Sequence, residues 1–171
     1  MRMSATQLTR LTEAISEYGE IDRTAGIIRG VKILSSKSRN GRRYLQEAMS
    51  KARPRSENSK VYLDHVDPKA SKRRKTDERW GQLQDVACRE DGLYGDLHYL
   101  KTHRCTEAIL ESIERFKDAG LSHDAGGKVR HENGEDVVYE IAEVYSVDFV
   151  QNPATNSNLF EEHQMSKRKL L

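Results

Sequence analysis

Apolar residues in this chain recur with two periods, and the switches between them mark out its elements. From Gly26 to Leu34 β-branched residues dominate and alternate from Val31 onward, which predicts a first strand. Ser38-Arg39-Asn40-Gly41 follows as a turn, because Asn and Gly tolerate positive φ. Val61 to His65 reads as a short strand closed by Pro68. Gly81 to Arg89 and Leu93 to Leu100 flank Glu90-Asp91-Gly92 and predict a hairpin. A second ribbon turns at Glu132-Asn133-Gly134 and leads into a long final strand from Val137 to Val150, ended by Asn152-Pro153. Helical spacing occurs three times. Residues 4–18 carry Leu8, Leu11 and Ile15 behind a capping Ser4; Arg43 to Lys51 carries Tyr44, Leu45, Ala48 and Met49, with Pro54 as its end; and Thr102 to Ala119 carries Ile109, Ile113 and Phe116, with Gly120 as its stop.

Roughly six strands with helices inserted irregularly between them exclude a doubly wound parallel sheet and predict an α+β fold, a mostly antiparallel, barrel-like sheet decorated by helices. A chain of 171 residues suits one core. The pattern divides it into an N-terminal helical appendage over 1–25, a main domain over 26–160 and a partly ordered tail over 161–171.

Composition changes this picture only at its edges. No apolar run approaches the roughly 18 to 20 residues that cross a bilayer, and the N-terminus lacks a signal-peptide core, so neither a membrane nor secretion is expected. Cys88 and Cys105 lack metal-ligand spacing and are too few for a disulfide framework, so they read as packing thiols in a reducing compartment. His98, His103 and His131 show no ligand spacing either, and neither a metal nor a cofactor is expected. Net charge is only +2, yet bases crowd residues 37–55, and residues 68–79 hold six bases against two acids. Such stretches suit nucleic acid or an acidic scaffold. The bases are not interleaved with aromatic stacking platforms, which favours a solvated helix face and a mobile loop from Lys69 to Arg79 that docks partners.

Three segments carry candidate chemistry. Gly120-Leu121-Ser122-His123-Asp124-Ala125-Gly126-Gly127 places a serine at a helix-to-strand junction leading into a small-residue turn. Val61-Tyr62-Leu63-Asp64-His65 ends a strand on a histidine, and Asp148 lies between the apolar Val147 and Phe149. A serine hydroxyl needs a base within hydrogen-bond reach and a third group to orient that base. Each residue also has a plainer reading: Ser122 as a turn residue, His65 as a satisfied or exposed side chain, Asp148 as a turn cap. The conjunction of all three favours catalysis over any one of them alone. His123 adjoins Ser122, but neighbouring strand residues point to opposite faces, so it reads as structural or as a substrate contact.

In order along about residues 30–160, these segments, together with Ser38-Arg39-Asn40-Gly41-Arg42-Arg43-Tyr44, Gly92-Leu93-Tyr94-Gly95-Asp96-Leu97 and Ser146-Val147-Asp148-Phe149-Val150-Gln151-Asn152-Pro153-Ala154, resemble the phage prohead protease family. These capsid maturation serine proteases are related in fold to the herpesvirus assemblins. The resemblance implies a serine endopeptidase that cleaves scaffold or capsid proteins, with itself as a further substrate, inside an assembling procapsid in the host cytoplasm, as a homo-oligomer. It makes His65 the base and Ser122 the nucleophile. The family often has Glu-Val-Ser-Leu-Val before Pro-Ala, so Ser146 falls where that glutamate would be and Asp148 where that serine would be. Asp148 is the chosen third member, with Glu143 as the alternative. Backbone N–H groups from Asp124 to Gly127, or from Gln151 to Ala154, are candidates for the oxyanion hole. The competing reading is a catalytically inactive capsid-assembly or nucleic-acid-binding module on the same fold.

Overall fold

The structure, a computed structural model, describes residues 8–15, 19–66, 74–117 and 119–151. Side chains are described over the same ranges apart from 10–15 and 151. Its strands are β1 (Thr9–Ile15), β2 (Ile21–Asp22), β3 (Ile27–Ser35), β4 (Arg42–Tyr44), β5 (Lys60–Leu63), β6 (Arg79–Arg89), β7 (Gly92–Tyr99), β8 (Ala119–Glu132) and β9 (Glu135–Gln151), with helices α1 (Gln46–Ser56) and α2 (Thr106–Phe116) between them. Among the described residues nine strands form one sheet in the order β1-β8-β9-β5-β6-β7-β3-β2, and β4 adds to β9 off that path. The fold is α+β and mostly strand. Among the described residues the hydrogen-bonded path is open, and β4 and β5 both run parallel to β9.

The two ribbons form where turn chemistry and alternation agree. Asn133 and Gly134 both take positive φ, 49° and 79°, as a two-residue hairpin turn requires, and β8 pairs with β9 along its whole length. β6 and β7 pair from Gly81↔Tyr99 to Arg89↔Gly92 around a bulge at Asp85 and Val86. The bulge leaves two backbone N–H groups without ladder partners, and Glu57 accepts both, from Asp85 at 3.0 Å and from Val86 at 2.8 Å. The core is built on Trp80, which stacks on Tyr99, meets Phe149 edge-on and donates its indole N–H to Thr106 at the start of α2, 2.9 Å away. Ile109, Leu110 and Ile113 of α2 and Ala48, Met49 and Ala52 of α1 are buried at helical spacing.

Several elements differ from the sequence reading. The helix predicted over 4–18 is replaced by strand β1, which pairs in unbroken antiparallel register with β8 from Thr9↔Gly127 to Ile15↔Leu121. Pairing with the long β8 satisfies its backbone groups and overrides a three-and-four spacing that fits either structure. Pro54 does not end α1 but sits inside its last turn, where its missing N–H costs a single bond. Helix α2 is shorter than predicted and stops at Lys117 in the left-handed region, φ 54°, not at Gly120. Phe116, expected on its buried face, is 62% exposed under the Arg115 guanidinium. Gly120 to Gly127 is no turn: the whole stretch lies in β8. The small residues make room there, since a Cβ on Gly126 would collide with the Tyr145 hydroxyl. Asn152, Pro153 and the tail lie outside the described residues.

Candidate active site

Strand β9 gathers the predicted residues. It takes β5 on one side in parallel, with Val61↔Val147, Tyr62↔Asp148 and Leu63↔Phe149 in register, and β8 on the other, with Leu121↔Phe149, Ser122↔Asp148 and His123↔Val147. Residues in register share a face, so Tyr62, Asp148 and Ser122 line up across three strands on one side of the sheet. Their neighbours Val61, Val147, His123, Phe149 and Leu121 turn to the other side and are buried. Alternation thus supplies a polar row on one face from the same segments that supply core on the other.

His65 reaches this row because β5 ends abruptly. Asp64 adopts φ 61°, and its N–H donates to Phe149 O at 2.9 Å, which keeps the chain against β9 while turning it out of strand geometry. His65 Nδ1 then lies 2.9 Å from Asp148 Oδ2. Asp148 is buried, and its other oxygen, Oδ1, accepts from Arg74 Nη2 at 2.6 Å. A carboxylate withdrawn from water is costly unless paired, and here each oxygen has a partner. The hydrogen bond to Asp148 raises the His65 pKa above the usual imidazole value. Partial burial opposes the shift, the charges of Asp148 and Asp124 add to it, and Arg74 subtracts from it.

Ser122 is 1% exposed, and its Oγ has no hydrogen-bond partner among the described residues. It stands directly across the ladder from Asp148, though no hydrogen bond joins it to His65. With Nδ1 engaged by Asp148, Nε2 is the ring nitrogen left to take a hydroxyl proton. Glu143 is exposed and pairs with Gly126, away from this row. His123 is fully buried with neither ring nitrogen partnered among the described residues, and burial pushes its pKa down to about 4; it has no surface with which to touch a substrate. Asp124 to Gly127 are flanked by β1 and β9, so their N–H groups lie in the sheet plane and not toward the Ser122 face. Asn152 to Ala154 lie outside the described residues.

Arg74 was missed as part of this constellation. The sequence places it in a basic run read as a docking loop, and nothing separates it there from Lys72, Arg73 or Lys75. The one available signal was indirect: a carboxylate between Val147 and Phe149 needs a cation, and the basic run begins just after His65. Lys69 to Arg73 lie outside the described residues. Arg74 to Arg79 are described, with a short 3-10 turn at Thr76–Glu78 leading into β6, and so are not the free loop expected. His103 and His131 are engaged by Asp77 O and Asp136 Oδ1.

The fold alone is similar to that of the bacteriophage T4 capsid assembly protease, gp21, with a TM-score of 0.62 at 19% sequence identity, covering 85% of this chain and 99% of that chain. At that identity the likeness is one of fold. No family model and no curated protein matches the chain.

Proposed function

We propose that this chain is a serine endopeptidase of phage capsid maturation, acting on scaffold or capsid proteins inside the procapsid. The observation that carries the reading is the 2.9 Å contact of His65 Nδ1 with Asp148 Oδ2, made by a carboxylate that stands in register with Ser122. The shared fold with a capsid assembly protease supports the choice of substrate class. Ser122 Oγ attacks a peptide carbonyl while His65 Nε2 takes its proton, and the imidazolium then protonates the leaving amine. Asp148 holds the ring with Nε2 free and stabilises its charged form. Water repeats the sequence on the acyl-enzyme.

Covalent labelling by a fluorophosphonate probe tests this. Ser122→Ala and His65→Ala should each abolish labelling and cleavage in a folded protein, and the double variant should be scarcely worse than either single. Cleavage retained in Ser122→Ala would end the proposal. Salt-sensitive nucleic-acid binding without labelling would support an inactive module in its place.

A further inference from the structure

We propose that Arg74 is a positioning residue that fixes the His65–Asp148 pair from both of its ends, a role that rests on the base and orienter assigned above. Its guanidinium is forked between two acceptors: Nη2 donates to Asp148 Oδ1 at 2.6 Å, and Nη1 donates to the carbonyl of Asp64 at 2.7 Å. The first bond claims one carboxylate oxygen and leaves the other for the imidazole. The second ties down the backbone of the residue that delivers His65, whose N–H is already held by Phe149 O. Asp64 is thus clamped on both sides while it holds its left-handed turn. The Tyr62 ring supports the guanidinium from below, 4.6 Å from its centroid, and the side chain is only 18% exposed. A planar cation with donors fixed in two directions can hold two acceptors at once, whereas an ammonium on a flexible stem cannot hold the same geometry.

The charge has a second effect. Three charged groups bear on the His65 ring: Asp148 from β9, Asp124 from β8 and Arg74 from the segment before β6, with Asp64 preceding it in the chain. The two strand carboxylates favour the protonated ring, and Arg74 opposes them. Without Arg74 the imidazole would hold its proton to higher pH, and less of it would be available as a base near neutrality.

Full-length wild type, Arg74→Gln, Arg74→Lys and Arg74→Ala are compared in two readouts: the His65 ring titration by NMR, and the rate of fluorophosphonate labelling. Arg74→Gln should move the His65 midpoint upward and slow labelling about a hundredfold, the scale of a small misplacement of a catalytic group. Arg74→Lys keeps the charge, so its midpoint should stay near wild type while labelling remains slowed. Millimolar guanidinium, but not urea, should restore labelling in Arg74→Ala. Unchanged midpoint and labelling in Arg74→Gln would overturn the proposal, as would Arg74→Lys matching wild type in rate. If Arg74→Gln fails to fold, Arg74→Lys and guanidinium rescue decide. Wild type that never labels would break the protease reading alone; the midpoint in Arg74→Gln would then support the role of Arg74 by shifting or refute it by staying fixed.

Discussion

Ser122 and His123 are adjacent in β8, and opposite them in β9 stand Asp148 and Val147. On the face bearing Ser122 a buried carboxylate is satisfied by an arginine and by His65, whose pKa rises. On the other face His123 is sealed in with no partner for either nitrogen among the described residues, and its pKa falls to about 4. The histidine next to the candidate nucleophile in sequence is turned away from it, and the one on the proposed mechanism comes from the segment after β5. Strand alternation decides which is which, and each imidazole then takes its chemistry from its surroundings.

The sharpest way to test this contrast is to alter the carboxylate. Asp148→Asn should lower kcat about 10⁴-fold, because an amide favours the wrong histidine tautomer. Glu143→Gln, an exposed change off the polar row, should leave kcat within about a factor of two, since the proposed chemistry runs through Asp148. Peptide hydrolysis by both variants checks this, and the reverse result would move the orienter to Glu143.

The buried side is probed by acid. Unfolded His123 takes up a proton near pH 6.5, whereas the folded ring resists until about pH 4, so its contribution to stability is present above 6.5 and is lost as pH falls through that interval. The loss is about 3 kcal/mol. Denaturant titrations at several pH values should show this slope in wild type and its absence in His123→Leu. An identical slope in the variant would place the acid sensitivity elsewhere.

Smaller effects separate support from chemistry on the polar face. Tyr62→Leu removes the ring beneath Arg74 and should cost about 0.5–1 kcal/mol of stability, read as a lowered denaturation midpoint. His65 has the opposite sign from His123. Its raised pKa contributes stability that is present below about pH 6.5 and is lost as pH rises through the folded value. Because the ring is half exposed, His65→Asn should remove only a few tenths of a kcal/mol. On the proposed mechanism the acid limb of kcat/KM should also lie above the usual imidazole value, since only the neutral ring takes a proton.

How far all this was legible from residues alone depended on whether local and long-range signals agreed. The β6–β7 and β8–β9 ribbons were readable because alternation and turn chemistry pointed the same way, and His65, Ser122 and Asp148 stood out as polar groups in apolar strands. Thr9–Ile15 was not readable as strand, because its pairing partner lies more than a hundred residues away and its own spacing suits a helix. Gly126 carried the right small-residue signal with the wrong meaning: glycine in a flanked strand makes space for a neighbouring ring as readily as it makes a turn. Arg74 was hidden by its neighbours, since a run of like charges does not say which member meets the carboxylate.

That β9 is the last described strand along the chain also bears on how the molecule is made. β9 joins β4, β5 and β8, and two of those partners come from the first half of the chain. Asp148 follows His65 by 83 residues, a delay of roughly 4 to 17 s at synthesis rates of about 5–20 residues per second. Through that interval β5 has no parallel neighbour, and its histidine has no carboxylate. Contacts of such long sequence separation form late and make folding slow. The hydroxyl, imidazole and carboxylate therefore cannot come together until β9 has been made, and a nascent chain carries the separate groups before it carries the constellation.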